Sequence, residues 1–427
     1  MYTKDYDVIV CGGGPAGIIA AVAAARNGAA TALIEKYAFL GGLASGGLVA
    51  PISEFRKDGR YIVKGLPWEF IESIESLGGA VTDYPNGNIP FDAESYKLAA
   101  DRFVVGSGVD LFLNTTLIGC MMEQKDAETR IQSIRCTHFT GPFELSAKYY
   151  IDCTGDAMLA WYSGIPMQEQ KPADTQSASL CLRIGNVDIE HLENTRLMEH
   201  GKKYSNQRVR TVLENLKASG EQVPLFGGPW FQQDIRSGIV YANMTRSTVN
   251  LEDPREASTM EVKLREDAHI LFNLIQKHIP EFKESHIIQC AVQAGYRETR
   301  RIVGNHILTG AELVGSIHFE DSIGCSAHPV DIHCPDSTKQ NVVFLDHEAF
   351  IPYRSLCRKT HGNLLVAGRC VSADPEAAAS IRVQAPCMAT GQAAGTAAAL
   401  CLKGSIGVSD LNTTLLRGKL IEQGAVV

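Results

Sequence analysis

The sequence predicts an α/β protein in which a parallel sheet, extended by an antiparallel meander, is interrupted by an inserted α+β domain. A strand–turn–helix–strand unit opens the chain at residues 6–34, and sheet-like sequence returns at residues 363–367 after a long polar middle region. The 427 residues also exceed the roughly 150 of an average domain. We therefore predict a discontinuous first domain, residues 1–167 and 342–427, and an inserted substrate or cap domain, residues 168–341.

Composition narrows the class of protein. Hydrophobic residues make up 45% of the chain and charged residues 21%, which is typical of a globular protein and not of a disordered one. The net charge is -8 and no long basic run is present. A nucleic-acid backbone would need a basic surface, so we expect no nucleic-acid partner.

Cysteine usage and one apolar segment bear on compartment. The 12 Cys form no C-x-x-C pair and no compact Cys/His cluster. We therefore expect no metal site and a reducing, cytoplasmic location.

Residues 385–402 lack charge but consist mostly of Ala, Gly and Thr. Because a membrane span needs about 20 predominantly apolar residues, we predict a tightly packed buried helix here and no membrane span.

The opening unit carries the strongest motif. The run Tyr6–Cys11 predicts a buried parallel strand, Ile18–Asn27 a helix, and Ala30–Ile34 a second strand. Between the first strand and the helix stands Gly12-Gly13-Gly14-Pro15-Ala16-Gly17, which contains G-x-G-x-x-G. A strand–helix–strand unit of this length makes a right-handed crossover and begins a parallel sheet.

Each glycine of that motif has a physical role in dinucleotide binding. Gly12 allows the tight turn, Gly14 lets the backbone approach a diphosphate, and Gly17 lets the helix pack closely on the strand. The helix N-terminus offers free N–H groups to the phosphates. Glu35, 18 residues after Gly17, is placed to accept hydrogen bonds from a ribose. The motif predicts a dinucleotide site and leaves NAD and FAD both open.

The remaining elements are predicted from periodicity and turn residues. They are a second glycine-rich segment at 41–47, a helix at 91–105, a strand at 109–113, a meander at 116–145, a strand at 148–152, a helix at 255–278, a strand at 363–367 and a closing helix at 386–402.

Three segments favour FAD through a family resemblance. The opening DYDVIVCGGGPAGIIAAVAAARNGAATALIEK resembles the FAD-binding start of glutathione-reductase-like flavoproteins, Ile151–Asp156 resembles their second segment, and NLLVAGRCVSADPEAAASIRVQAPCMATGQAAGTAAAL resembles their third. With GGLASGGLVAP, RETRRIVGNHILTG, HPVDIH and IPYRSL, these segments resemble the FAD-dependent oxidoreductase family, distantly akin to fumarate reductase and succinate dehydrogenase flavoproteins. The resemblance implies a Rossmann-like FAD-binding domain.

The resemblance also implies which residues contact FAD. The cofactor is expected to be non-covalent, because the segment 40–47 contains no His. Many flavoproteins of this group have an acidic residue where this chain has Arg369, so that contact is not carried over, and Asp156 and Asp374 are the candidates to replace it. The expected FAD contacts are Gly12, Gly14, Pro15, Ala16, Gly17, Glu35, Lys36, Gly41, Gly42, Leu43, Ala44, Gly155, Asp156, Gly368, Arg369, Ala389 and Thr390.

Two clusters are candidates for substrate chemistry. Arg297, Arg300 and Arg301 surround Glu298, and on a helix residue 297 would share a face with 300 or 301. They would either bind a carboxylate or form a structural ion-pair network.

The second cluster is HPVDIH. Asp331 and His333 share one face of a strand, where an Asp–His pair would orient an imidazole for proton transfer, serve structure, or, more weakly, bind a metal together with His328. Tyr353 and Arg354 precede the last predicted strand, at the junction of the two domains, where ligands often bind.

The combined prediction is an FAD-dependent oxidoreductase that transfers a hydride between the flavin and a small organic substrate at the domain junction. Arg297, Arg300, His333 and Arg354 are the candidates for substrate anchoring or proton transfer. Only one G-x-G-x-x-G is present, so we expect no separate NAD(P)H domain, and electrons then leave through substrate, dioxygen, a quinone or a partner protein. The alternatives are a flavoprotein subunit of a redox complex and a binding protein with structural FAD.

Overall fold

A computed structural model gives the structure of the chain. It describes residues 4–83, 87–125, 128–169, 175–191, 207–248, 250, 253–335 and 338–427. The strands of this described part are β1 (Asp5–Cys11), β2 (Thr31–Ile34), β3 (Arg56–Lys57), β4 (Arg60–Tyr61), β5 (Asp110–Phe112), β6 (Thr116–Lys125), β7 (Glu128–His138), β8 (Gly141–Asp152), β9 (Leu182–Gly185), β10 (Phe226–Gln233), β11 (Val240–Thr245), β12 (His286–Cys290), β13 (Ser322–Ser326), β14 (Val330–His333), β15 (Gln340–Val343), β16 (Ala349–Pro352) and β17 (Leu364–Val366). Its helices are α1 (Pro15–Arg26), α2 (Leu66–Glu75), α3 (Ala93–Gly106), α4 (Met158–Tyr162), α5 (Gln207–Ala218), α6 (Pro254–His278), α7 (Gly310–Val314), α8 (Pro375–Ile381), α9 (Gln384–Gly404) and α10 (Thr413–Glu422).

The largest sheet has the order β5-β2-β1-β8-β7-β6, and β17 also pairs with β8. Strands β5, β2, β1, β8 and β17 are parallel to one another. Strands β6, β7 and the first half of β8 form an antiparallel meander. The predicted α/β class and the meander are confirmed. The first helix begins at Pro15 and not at Ile18, because Gly14 is its N-cap and proline is favoured in a first turn.

Helix α9 is the predicted closing helix, and it packs against α1 through glycines. A Cβ on Gly391 would lie 2.2 Å from the Ala16 carbonyl oxygen, and a Cβ on Gly395 would lie 2.2 Å from that of Ala20. The two backbones therefore touch, and almost every residue of α9 is buried. Within the described ranges, no helix combines the length and apolarity that crossing a bilayer requires.

A second core is built on the antiparallel sheet β10-β11-β9-β12. Its buried apolar side chains come mainly from residues 178–294, and one face of α6 covers them. Apolar residues from Ile302 onward, including those of β13 and β16, belong to the first core. We propose that the inserted domain runs from residue 168 to residue 341. The second core covers a shorter span, mainly residues 178–294.

The close contact between α1 and α9 predicts a strong effect of one methyl group. In Gly395→Ala the new Cβ would meet Ala20 and Ala23 backbone and side-chain atoms at 2.2 and 2.8 Å. We expect the free energy of unfolding to fall by about 1–3 kcal/mol, because both helices must move apart. Urea or thermal unfolding measures the change.

The matched control is Gly418→Ala in α10. That glycine is exposed and a Cβ there would meet nothing within 4 Å. Alanine is the better helix former, so this variant should gain about 0.5–1 kcal/mol. Equal stability of the Gly395→Ala protein and the wild type would contradict the packing described here.

Candidate active site

A cavity of about 760 Å³ lies where four parallel strands of the large sheet end. Gly12 follows β1, Glu35 follows β2, Cys153 follows β8 and Ala367 follows β17, and all four line it. Other lining residues come from the sheet of the second core. Ligands of parallel α/β sheets bind at the carboxyl ends of strands, so this cavity is the candidate active site.

The turn between β1 and α1 depends on glycine for close backbone contact. Gly12 has a φ of +100°, and a Cβ there would lie 2.5 Å from the Cys153 carbonyl oxygen. A Cβ on Gly17 would lie 1.8 Å from the Gly12 carbonyl oxygen. The two tasks expected of these glycines, a tight turn and close packing of helix on strand, are both observed.

Gly14 differs, because it faces open space. A Cβ at this position would meet only the Gly42 Cα, at 3.9 Å, and both residues line the cavity. Gly14 is the N-cap of α1 and makes no side-chain cap, and the first turn of the helix holds no acidic residue. The N-terminal N–H groups of α1 and their partial positive charge are therefore open to an anionic group such as a diphosphate.

Glu35 is held in place by backbone donors. The N–H of Gly13 donates to Oε2 at 2.6 Å, and the N–H of Tyr37 donates to Oε1 at 2.9 Å. Burial raises the pKa of Glu35, and these two hydrogen bonds oppose that rise. Glu35, Lys36 and Tyr37 all line the cavity, as a ribose and its base require.

Most of the expected FAD contacts line this cavity. They are Gly12, Gly14, Pro15, Ala16, Glu35, Lys36, Gly42, Leu43, Ala44, Gly155, Asp156, Gly368 and Arg369.

Four expected contacts stand behind the cavity wall instead. Gly17 lies under α1, and Gly41, with a φ of +110°, turns the chain beside Ser45. The hydroxyl of Thr390 accepts from the Gly368 N–H at 3.0 Å, and Ala389 packs on Gly324. These four residues do not line the cavity, and their contact with FAD stays a prediction.

Arg369 turns toward the second core. Its guanidinium donates to the Tyr296 carbonyl oxygen at 2.7 Å and lies 3.4 Å from Asp156 Oδ1. Asp156 also accepts from the Thr299 hydroxyl at 3.0 Å and lines the cavity. Asp374 caps α8 through its side chain and does not line the cavity. Of the two candidate carboxylates, Asp156 alone is in position to reach FAD.

His333 is fully engaged by its neighbours. Its Nδ1 lies 2.7 Å from Arg246 Nη2, and its Nε2 lies 2.9 Å from Asp331 Oδ2. Because arginine only donates, this network assigns Nδ1 as acceptor and Nε2–H as donor. Burial and Arg297 lower the pKa of His333 well below its usual range, which agrees with a neutral ring. The predicted strand and Asp–His pair are observed, but both nitrogens are occupied, so proton transfer by His333 is not supported.

His328 has the free nitrogen that His333 lacks. It lines the cavity, and its buried Nδ1 has no hydrogen-bond partner. Burial lowers the pKa of His328 to about 4. Glu54 Oε1 lies 4.0 Å from that Nδ1, and burial raises the pKa of Glu54 to about 8. At neutral pH a neutral imidazole therefore stands beside a protonated carboxylic acid.

The arginine cluster is divided by the structure. Residues 297–301 are extended and not helical. The backbone on either side of them is hydrogen-bonded to both cores, because the Gly295 N–H donates to the Ser179 carbonyl oxygen and the Val303 N–H donates to the Pro166 carbonyl oxygen. Arg297 lines the cavity, whereas Arg301 pairs with Glu298 at 3.0 Å in the interior. The shared helix face predicted for residues 297 and 300 or 301 is wrong.

Arg300 and Arg354 lie outside the cavity. The Arg300 guanidinium stacks 5.2 Å over the Trp161 ring. Arg354 Nη1 lies 3.0 Å from Asp321 Oδ1, and the hydroxyl of its neighbour Tyr353 donates to the Val408 carbonyl. Arg300, Tyr353 and Arg354 do not line the cavity. The prediction that Arg300 and Arg354 anchor substrate is corrected accordingly.

Several residues in or beside the cavity escaped prediction from the sequence, and three of them matter for the site. Gly13 sits where a Cβ would lie 2.4 Å from Leu40 Cδ2. Arg382 lines the cavity, and its only early signal is its place just before the predicted closing helix. Glu54, with a φ of 60°, has no sequence signal at all. Within the described ranges, no three His, Cys, Asp or Glu side chains gather as metal ligands.

Comparisons with known proteins agree with this geometry. A family model described as FAD dependent oxidoreductase matches residues 7–420. Thiamine thiazole synthase of Methanococcus maripaludis (strain C7) is 28% identical over 160 residues, 35% of this chain and 56% of that enzyme. The chain thus spans only about half the length of this curated relative.

Among solved structures, the chain is similar to a geranylgeranyl bacteriochlorophyll reductase-like protein of Thermoplasma acidophilum. The TM-score is 0.52 at 15% identity, over 99% of this chain and 85% of that one. A myxobacterial FAD-dependent chondrochloren halogenase aligns with a TM-score of 0.46 at 13% identity, over 97% and 78% of the two chains. The first likeness shows the fold, and the family match shows the cofactor and the general activity. The chain belongs to the family of FAD-dependent oxidoreductases.

Proposed function

We propose that the protein transfers a hydride between FAD and a small organic substrate that binds in the same cavity. One observation carries the proposal: the glycine turn before α1 lines the same continuous cavity as Arg297 and His328. A dinucleotide and a substrate bound there would share that space without a wall between them.

The residues present fit FAD. Gly14 and Gly42 leave room at the N-terminus of α1, where a Cβ would intrude, and Glu35 is oriented for a ribose. Gln384 Oε1 is buried and lacks a partner, and Gln384 lines the cavity. Buried polar atoms are normally paired, so a polar ligand is expected to meet this oxygen. When bound, FAD supplies a group that accepts or gives up a hydride.

His328 is the residue we propose for proton transfer. A substrate that loses a hydride from a C–H bond also loses a proton from its O–H or N–H group. His328 lines the cavity and its Nδ1 has no hydrogen-bond partner, so it is placed to take that proton. Glu54 Oε1 lies 4.0 Å from Nδ1, and Glu54 stays protonated until the pH nears about 8.

The electron acceptor and the cellular location of the protein are also part of this proposal. We propose that electrons leave through the substrate side, to dioxygen, a quinone or a partner protein, since one dinucleotide motif is present. All 12 cysteines are free thiols. Free thiols are typical of a reducing compartment, which supports a cytoplasmic location.

Anaerobic reduction tests the proposed function. The purified holoprotein, with its flavin spectrum recorded, is mixed without oxygen with a panel of small organic hydride donors. We expect at least one compound to bleach the flavin absorbance, with dithionite as the positive control. Bleaching only in the presence of a partner protein would favour a subunit of a redox complex. A flavin that dithionite bleaches and no organic donor does would contradict hydride transfer from substrate.

Replacing His328 tests its role. In His328→Asn we expect the rate constant of flavin reduction to fall by about 10²–10⁴-fold with the FAD content unchanged, because the proton acceptor is lost. The exposed His318 lies outside the cavity, and His318→Asn is the control. A His328→Asn protein that reduces its flavin at the wild-type rate would remove this residue from the mechanism.

The raised pKa of Glu54 predicts that the stability of the folded chain depends on pH. This pKa rises from the ordinary 4.5 to about 8 in the folded chain. Between these values unfolding releases the proton, so the contribution of Glu54 is complete below pH 4.5 and is lost as the pH rises toward 8. Glu54→Gln cannot ionise, so its melting temperature relative to wild type should rise from pH 5 to pH 9.

The exposed Glu284 provides the control for this pH series. Glu284→Gln should keep a constant offset in melting temperature from the wild type. If Glu54→Gln also keeps a constant offset, Glu54 does not carry a raised pKa.

A further inference from the structure

Three guanidinium groups converge beside the cavity. Arg246 and Arg297 both donate to the Ser179 hydroxyl oxygen, at 2.6 and 3.0 Å. Arg382 donates to the Asp331 carbonyl oxygen at 2.7 Å and lies 4.0 Å from its carboxylate. Arg297 and Arg382 line the cavity, and Arg246 stands behind them.

The cluster holds more positive than negative charge. The recorded partners of Arg246 and Arg297 are hydroxyl, amide, carbonyl and imidazole groups, none of which is negative. The carboxylate of Asp331 lies 4.0 Å from Arg382. Burial would raise the pKa of Asp331, but His333 and Arg382 outweigh that effect and hold it well below its usual range.

Neighbouring acids do not restore the balance. Glu298 is paired with Arg301 at 3.0 Å, and Asp156 is shared with Arg369 at 3.4 Å. The excess charge is buried: the side chain of Arg382 is only 9% exposed. Burying an unpaired charge is unfavourable unless a counter-charge is supplied.

One guanidinium donor of this cluster lacks a partner. Arg382 Nη1 is buried and has no acceptor in the described part of the chain. A guanidinium presents parallel N–H groups that match the two oxygens of a carboxylate. The open donor therefore points to the missing counter-charge: an anionic group on the ligand.

The cavity that Arg297 and Arg382 line also has an apolar wall. Its side chains come from the sheet of the second core and from the end of β15: Trp230, Phe231, Tyr241, Val342 and Phe344. Aromatic and aliphatic side chains of this kind bind the apolar part of a ligand.

We propose that the substrate is a carboxylic acid with an apolar body, whose carboxylate binds Arg297 and Arg382 while its apolar part packs on the aromatic wall. This inference rests on the proposed function only in that it calls the ligand a substrate. The binding site itself follows from the geometry alone. Arg246 and His333 act as positioning residues, because they hold Ser179 and Asp331 against the two binding arginines.

Equilibrium binding to the holoprotein tests the site without turnover. The probes are 3-phenylpropionate and its neutral counterpart 3-phenylpropionamide, which differ in charge and hardly in shape. We expect the acid, and not the amide, to perturb the flavin absorbance spectrum and raise the melting temperature. Equal effects of acid and amide, or no effect of either, would overturn the proposal, since a cluster that served the flavin alone would not distinguish them.

Variants locate the site. In Arg382→Met and in Arg297→Met the dissociation constant of 3-phenylpropionate should rise at least about tenfold, because a charge-assisted hydrogen bond is lost. Arg300→Met and Arg354→Met, outside the cavity, should leave it unchanged. Unchanged binding in both cavity variants would overturn the assignment. The acid–amide comparison on the wild type decides the question even if a cavity variant fails to fold.

Failure of this inference is distinct from failure of the proposed function. A holoprotein that organic donors reduce, but that binds acid and amide alike, contradicts the carboxylate site and leaves hydride transfer standing. A holoprotein that binds the acid at Arg382, but that no organic donor reduces, contradicts hydride transfer and leaves the anion site standing.

Discussion

The backbone at the start of α1 packs closely against the turn that follows β1. No side chain larger than hydrogen fits at Gly17, where a Cβ would lie 1.8 Å from the Gly12 carbonyl oxygen. This contact fixes the helix axis so that its uncapped N-terminus opens into the cavity. The contacts of α9 against α1 then secure the helix from behind. The place of Gly12 and Gly14 in the cavity lining follows from that arrangement.

Local sequence pattern was enough to predict the residues at the start of α1 that line the cavity. The motif from Gly12 to Gly17 and the acidic Glu35 follow short-range rules of strand, turn and helix, and the structure keeps their spacing. The residues at Ala389 and Thr390 were assigned to the right helix, but a helix has several faces and only the packing of α9 on α1 decides which one meets the ligand.

The rest of the cavity depends on contacts between distant parts of the chain. Glu54 meets His328, and Arg246 meets His333, and in each case the partners are far apart in sequence. No spacing rule relates such positions. Arg300 and Arg354 looked like ligands because of their residue type, yet Trp161 and Asp321 hold them elsewhere. Residue type predicts what a side chain is able to bind, and tertiary structure decides whether it is placed to do so.

The two histidines illustrate how hydrogen bonding divides structural from chemical tasks. His333 has both nitrogens bonded, so it fixes Asp331 and Arg246 in place. His328 keeps a free nitrogen beside a neutral acid, so it is able to exchange a proton. A fixed arginine cluster beside a free imidazole suits a reaction in which an anion is held still while a hydride and a proton leave it.

A crystal structure of the FAD-bound protein with 3-phenylpropionate tests the central claim most directly. The account predicts the diphosphate of FAD at hydrogen-bond distance from the backbone N–H groups that begin α1. It also predicts the carboxylate of the acid between Arg297 and Arg382. A diphosphate bound away from that helix start, with another group against Gly14, would contradict the account.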